Sequence, residues 1–175
     1  MNEYSTEAIV LDKEISGERD SRVWFYTKEL GKVVARVVSA RKITSKLAAH
    51  FEPLNIVNLR LVDKNFLLAV DGLIISKLEN GTNDKVQILR ALQLIKETSP
   101  ERQPDQELWD LIRHNTAKAG PEEILRVQGF DPRLALCRDC GRPTPENFLY
   151  YSCDYLCHTC LIFSQMDEKR LVLYN

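Results

Sequence analysis

Four cysteines near the end of the chain form two Cys-x-x-Cys pairs, and they constrain the fold more than any other feature. Cys137 and Cys140 make the first pair, and Cys157 and Cys160 make the second after an intervening loop. Each pair presents two sulfurs in one tight turn, so the two turns together can place four thiolates around one metal ion. Four ligands leave no open coordination position. The spacing therefore predicts a structural Zn²⁺ site, not a catalytic one.

Other ligands and other uses of these thiols remain open. Cys153 breaks the spacing of the pairs and is expected to be a packed thiol, while His158 lies inside the second turn and is expected to face solvent. Either could replace a ligand in a damaged site. A redox pair is less favoured because two pairs are present, and Gly141 can supply the positive φ that such a metal-binding turn often needs.

The N-terminus has no positively charged region followed by an apolar one, so a secretory signal is not predicted. We therefore expect a cytoplasmic location, where thiols stay reduced and disulfides are disfavoured. No apolar run approaches the roughly 20 residues of a membrane span. The net charge of −1 by itself predicts nothing about nucleic acid.

The first segment, residues 1–79, has the pattern of a small antiparallel barrel. β-Branched and aromatic residues dominate five runs that are separated by turn-like breaks, at 6–11, 22–27, 32–39, 54–62 and 66–75. Residues 43–51 can form a short helix that plugs the barrel between the third and fourth strands. This order predicts an OB-fold, a five-stranded barrel that commonly binds single-stranded nucleic acid.

A run of cations without acids crosses the third strand and the connection after it, and consists of Lys32, Arg36, Arg41, Lys42 and Lys46. It is a candidate phosphate-binding stretch, with a solvated strand and loop as the equally weighted alternative. The period of a strand places Trp24 and Tyr26 on one face and Phe25 on the other. The outward aromatic side chains could stack on bases, but we favour packing against the next segment.

The second segment, residues 80–136, is predicted to be helical, and the third, residues 137–175, to be the zinc module with its tail. Asp84 and Asp105 are candidate helix caps, and Gly120-Pro121 suits the start of a third helix that ends at Gly129. The helices are too short to bury much surface alone and should pack against the barrel and the zinc module. Residues 148–151 are predicted to be a strand or packed loop, residues 161–163 to bury against the helices, and residues 171–174 to form a last strand. The fold class is therefore α+β in three modules.

No catalytic motif is present. The sequence lacks a Walker-type phosphate loop and a Gly-x-Ser-x-Gly elbow, and its three histidines are scattered without matching acidic partners. A non-catalytic protein is expected.

Several short stretches, in their order, give the chain a family resemblance. They are EAIVL at 7–11, GERDSR at 17–22, YTKELGK at 26–32, VAR at 34–36, ARK at 40–42, SKL at 45–47, EPL at 52–54 and GFDPRL at 129–134, which leads into CRDCG at 137–141. In this order, and with the cysteine quartet, the chain resembles the bacterial RecO family of DNA repair proteins.

The resemblance implies an OB-fold, a helical domain and a zinc module in a recombination mediator associated with the bacterial nucleoid. It implies binding of single- and double-stranded DNA, annealing of complementary strands, and loading of RecA together with RecR onto DNA covered by single-strand-binding protein. It also implies DNA contact at the five cations of residues 32–46 and zinc ligation by the four paired cysteines. Two alternatives remain: an RNA-binding OB-fold protein with a zinc ribbon, and a protein-interaction scaffold.

Overall fold

A computed structural model of the chain describes residues 1–16, 20–38, 46–78, 85–115, 120–164 and 171–173. Five strands form a closed barrel in the order β1-β2-β3-β5-β4. Their bounds are β1 Asn2–Ser16, β2 Asp20–Thr27, β3 Gly31–Val37, β4 Asn55–Asp63 and β5 Leu67–Lys77. All neighbouring strands are antiparallel except β3 and β5, which are parallel. This is the predicted OB-fold.

A short helix, α1 (Lys46–His50), lies between β3 and β4, where the sequence predicted the plug of the barrel. Phe51 follows it directly and is fully buried. Its ring meets Phe25 edge-on, with centroids 5.2 Å apart, inside a barrel core that is otherwise aliphatic. Phe25 therefore points into the barrel, and its neighbours Trp24 and Tyr26 point outward, as the strand period requires.

Three helices follow the barrel: α2 (Lys85–Thr98), α3 (Gln106–Asn115) and α4 (Pro121–Val127). The Asp105 carboxylate accepts a hydrogen bond of 3.0 Å from the Leu108 amide, which confirms the predicted cap of α3. Pro121 opens α4, and Gly129 with φ 86° follows its end, also as predicted. The predicted cap at Asp84 lies outside the described residues.

The helices cover one outer face of the barrel. Tyr26 joins Ile9, Leu11 and Ile56 of the barrel in one apolar cluster with the buried faces of α2, α3 and α4. The favoured interpretation of the outward aromatic side chains, packing against the next segment, is therefore confirmed for Tyr26. Trp24 packs at the margin of this cluster and stays partly exposed.

The third segment is a small module built on three strands in the order β7-β6-β8. They are β6 (Asn147–Leu149), β7 (Asp154–Leu156) and β8 (Leu171–Leu173), and helix α5 (His158–Ser164) lies between β7 and β8. A short 3-10 helix at Pro132–Leu134 precedes the module. Strands at 147–149 and 171–173 agree with the sequence prediction.

The predicted burial of residues 161–163 against the helices of the second segment is wrong. Ile162 is 63% exposed and Phe163 is 82% exposed, whereas Leu161 packs against the cysteine cluster. A helix of less than two turns can bury only one stripe of its surface, and here that stripe faces the cysteines. No helix among the described residues is long and apolar enough to cross a membrane.

The proposed boundaries at residues 79 and 136 remain a prediction. The cluster that contains Tyr26 also includes Phe148 and Tyr155 of the third segment, so all three segments contribute to one continuous core.

Candidate metal centre and nucleic-acid interface

The two Cys-x-x-Cys turns bring all four predicted ligands together. The sulfurs of Cys137, Cys140, Cys157 and Cys160 all lie within 4.8 Å of one another. The Cys140 and Cys157 sulfurs are 3.7 Å apart. Ligands at a Zn–S distance of about 2.3 Å in tetrahedral geometry would be about 3.8 Å apart. The four sulfurs are therefore arranged so that they could hold a metal ion.

Backbone hydrogen bonds shape both turns. The Gly141 amide donates to the Cys137 carbonyl at 2.8 Å, and Gly141 has the predicted positive φ, 69°. The Leu161 amide donates to the Cys157 carbonyl at 3.0 Å in the matching position of the second turn. The Cys157 amide also donates to the Cys137 sulfur at 3.4 Å, which links the turns. The backbone therefore holds the four sulfurs close together.

The thiols have unequal proton affinities. Burial raises the pKa of Cys137, but the backbone amides of Cys157, Cys140 and Asp139 donate to its sulfur and lower that pKa to about 6. Hydrogen bonds to the sulfurs of Cys140 and Cys157 instead raise the pKa of Cys160. Amide donors thus favour the thiolate form of Cys137, whereas hydrogen bonding to neighbouring sulfurs favours the thiol form of Cys160. A bound cation would favour the thiolate form of all four cysteines and release protons.

The two spare candidates lie outside the cluster. The Cys153 thiol donates to the Tyr150 carbonyl at 3.6 Å and packs at the margin of the shared core, as expected for a packed thiol. His158 is exposed, as predicted, and its backbone amide donates to Glu146. Among the described residues, the four paired cysteines are the only group of His, Cys, Asp or Glu side chains with three or more ligand atoms this close together.

Lys32, the first of the predicted DNA contacts, is in the interior. It is 9% exposed, and its ammonium donates a hydrogen bond of 2.8 Å to the Lys96 carbonyl in the last turn of α2. Burial also lowers its pKa. The ammonium is therefore already engaged by the end of α2, which makes it a poor candidate for a phosphate contact.

Of the other four predicted DNA contacts, the structure describes the side chain of Arg36 alone. Arg36 is on the outer surface, but its Nε donates to Asp20 at 2.7 Å, so its charge is partly balanced. Arg41 and Lys42 lie outside the described residues, and so does the side chain of Lys46. The described residues therefore do not form a strip of purely positive charge.

The sequence analysis missed a second feature of the same surface. Arg22 stands directly opposite Arg36 across β2 and β3, and each arginine lies over an aromatic ring. The Arg22 guanidinium is 4.9 Å from the centre of the Trp24 ring, and that of Arg36 is 5.8 Å from the centre of the Phe66 ring. We call Trp24, Arg22, Arg36 and Phe66 the aromatic–arginine strip.

The strip has a composition suited to single-stranded nucleic acid. Each guanidinium also has a carboxylate nearby, because Arg22 stands opposite Glu14 on β1 and Arg36 donates to Asp20, so the two like charges are partly balanced. Phe66 is 49% exposed on the turn between β4 and β5, which in OB-folds borders the nucleic-acid face. The sequence alone does not reveal this pairing, because it depends on the register between β2 and β3.

Comparisons with known proteins point to one family. Residues 1–75 match the family model described as "Recombination protein O N terminal". Over 174 residues the chain is 28% identical to the DNA repair protein RecO of Thermodesulfovibrio yellowstonii, with 90% of this chain and 70% of that protein covered. Over 158 residues it is 29% identical to the DNA repair protein RecO of Myxococcus xanthus, with 81% of this chain and 65% of that protein covered. The chain thus spans about two thirds of these relatives.

Proposed function

The chain belongs to the RecO family of DNA repair proteins, and we propose that it is a non-catalytic mediator that binds single- and double-stranded DNA and anneals complementary strands. The observation that carries the proposal is the coincidence of the matched residues 1–75 with the closed barrel of β1 to β5. Its proposed setting is the cytoplasm, on the bacterial nucleoid. Its proposed partners are RecR and single-strand-binding protein, with RecA as the protein that is finally loaded.

DNA contact is assigned to the outer surface of β2 and β3. The aromatic–arginine strip offers the exposed Phe66 ring for base stacking, a contact worth about 1–3 kcal/mol, and two guanidinium groups for phosphates. The Trp24 ring is already in contact with the Lys96 ammonium, 4.3 Å from its centre, and with the shared core. Arg41, Lys42 and Lys46 follow β3 in the chain and are proposed to extend this surface. Lys32 is left out because its ammonium is bonded to α2.

Annealing follows from holding two polyanions at one surface. Cations that neutralise phosphates release counterions, and this release favours binding at low salt. Reduced repulsion between two bound strands then raises the rate at which their bases pair. Because Asp20 balances part of the charge of Arg36, we expect base stacking to contribute alongside the charges.

The metal is proposed to be Zn²⁺ in a structural role, held by Cys137, Cys140, Cys157 and Cys160. Four thiolates favour zinc and would complete its coordination, which leaves no position for a substrate. A zinc ion bound there would brace the third segment. The DNA-binding surface is on the barrel and does not include these residues.

Strand annealing with purified protein tests the function. Arg22→Ala combined with Arg36→Ala, and separately Arg41→Glu combined with Lys42→Glu, should each lower the annealing rate of labelled complementary oligonucleotides by about tenfold at low salt, because each removes two cations that would neutralise phosphates. Arg60→Glu is the control, since Arg60 is about as exposed as Arg36 and also paired with a carboxylate, Glu3, but lies over no aromatic ring among the described residues.

An unchanged annealing rate in both double variants would refute the assigned surface. The same oligonucleotides made of RNA separate DNA from RNA preference at matched salt. Tighter binding of RNA would favour an RNA-binding OB-fold protein. No binding of either nucleic acid at low salt would favour a protein-interaction scaffold.

A further inference from the structure

The second half of β5 exposes an unusual amount of apolar surface. Val70 is 41% exposed, Leu73 63%, Ile74 42% and Ile75 44%. Three of these residues are consecutive, whereas a strand with one buried face would expose every second residue. Exposed contiguous apolar surface of this kind indicates an interaction site.

Strand alternation accounts for two of the three consecutive residues, because Leu73 and Ile75 share the outer face of β5 with Asp71 and Lys77. Ile74 is the exception, since it pairs with the buried Val57 and is nevertheless 42% exposed. A β-bulge follows it directly: Ile56 pairs with Ser76, so Ile75 has no partner on β4.

Within the part of the chain that the structure describes, no strand pairs with the outer edge of this half of β5, although α1 contacts it at Gly72 through His50. β3 pairs with β5 through Arg36 and Leu68, and no described strand continues that edge from Val70 to Lys77. The Gly72 amide donates to the Asp71 carboxylate at 2.8 Å, and the Gly72 carbonyl lies 2.6 Å from the His50 ring nitrogen.

Because Gly72 bonds these side chains, its backbone polar groups point away from β4. Ile74 is two residues further along with no bulge between them, so its amide and carbonyl point the same way. Ile74 thus presents one donor and one acceptor at the open edge, between two exposed apolar side chains.

The segment is complementary to itself. An antiparallel pairing of two copies centred on Ile74 places Leu73 of each copy opposite Ile75 of the other. It also places Asp71 of each copy opposite Lys77 of the other, and both residues are exposed. Opposite charges and apolar pairs directly across a ladder each stabilise the pairing.

We propose that the chain forms a two-fold symmetric dimer in which the β5 edges of two copies pair around Ile74. Each copy uses its Ile74 amide and carbonyl, so the pairing is closed and leaves no edge for a third copy. The side-chain bonds at Gly72 limit the length of the pairing. This dimer does not depend on DNA, and it is distinct from the proposed mediator function.

Sedimentation velocity of the full chain without DNA tests the proposal. The wild-type chain should show a concentration-dependent monomer–dimer equilibrium, and Ile74→Asp should weaken it by at least about tenfold, because a charge replaces the central apolar contact. Asp71→Lys and Lys77→Asp should each weaken it alone, since like charges then face each other. Mixing these two variants should restore dimers, because every facing pair is again opposite in charge.

A chain that carries both Asp71→Lys and Lys77→Asp should also dimerise. Circular dichroism of each variant excludes unfolding as the cause of a lost dimer, and restoration by mixing requires folded chains in any case. A wild-type chain that stays monomeric up to its solubility limit would overturn the proposal. So would a dimer that persists unchanged in Ile74→Asp, or charge variants that do not recover on mixing.

Discussion

Lys32 carries the positive charge expected of a DNA contact, but its position gives it a structural role. It follows the tight turn between β2 and β3, and its side chain extends across the outer face of the barrel to the last turn of α2. Carbonyl groups at a helix end lack intrahelical partners and carry partial negative charge. The Lys32 ammonium satisfies one of these groups and thereby attaches the barrel to the helices.

Replacing Lys32 by methionine should reduce the free energy of unfolding by about 1–2 kcal/mol, because the Lys96 carbonyl loses a charged donor. Affinity for single-stranded DNA should not change. Lys28→Met is the control for charge, since Lys28 is in the same turn and exposed. Urea denaturation and fluorescence anisotropy measure the two quantities. A large loss of DNA affinity in Lys32→Met alone would return Lys32 to the binding surface.

Gly31, the residue before Lys32, lets the barrel approach the connection between α2 and α3 closely. It has φ 67°, and a Cβ atom there would lie 2.2 Å from the Gln103 carbonyl oxygen in the connection between α2 and α3. Gly31→Ala should therefore destabilise the chain by about 2–4 kcal/mol, from backbone strain and steric overlap together. Gly129→Ala shares the positive φ but meets nothing within 4 Å, so it should cost only about 1 kcal/mol. Equal losses in the two variants would contradict a close approach at Gly31.

At the scale of elements, the sequence predicts what is local. Alternation in β2, the cap at Asp105, Pro121 at the start of α4 and the spacing of the cysteines each depend on a few neighbouring residues, and each is found in the structure. The failures depend on distant contacts. Lys32 is covered by a helix whose contacting residue, Lys96, is 64 residues later in the chain, and the exposed side of α5 depends on where the cysteine cluster lies.

The aromatic–arginine strip belongs to the same class of features. Arg22 and Arg36 are each unremarkable in sequence, and only the pairing of β2 with β3 places them opposite each other. The local run of cations predicted a candidate phosphate-binding stretch on β3, but the position of Arg22 beside it follows only from the strand register.

The third segment offers a prediction about one element, the pair of cysteine turns. Cys157→Ser should abolish stoichiometric zinc and lower the melting temperature, because metal binding contributes directly to the folding of such modules. Cys153→Ser should keep the zinc, since Cys153 lies outside the cluster of four sulfurs. Elemental analysis of the purified proteins and a thermal melt with and without chelator measure both effects. Stability that is equal with and without chelator would show that the metal is not structural.

At the scale of the whole molecule, one apolar cluster connects the three segments. It contains Tyr26 of the barrel, Ile95 and Trp109 of the helices, and Phe148 and Tyr155 of the third segment. The Tyr155 hydroxyl also donates to the Phe130 carbonyl, just after α4. A core shared in this way makes the stability of each segment depend on the other two, so we expect them to unfold together.

The two tryptophans make this expectation measurable, because Trp24 reports on the barrel and Trp109 on the helices. Trp109→Phe and Trp24→Phe each leave one reporter, and Phe148→Ala is added to both. Phe148 is fully buried between Phe130 and Tyr155, with ring centroids 5.6 Å and 5.0 Å away, so its removal should cost about 3–5 kcal/mol. Phe148 lies in the third segment, which contains neither tryptophan. Phe148→Ala should nevertheless lower the urea midpoint of both fluorescence signals by the same amount. A barrel signal that keeps its midpoint while the helical signal shifts would mean that the barrel folds independently of the rest of the chain.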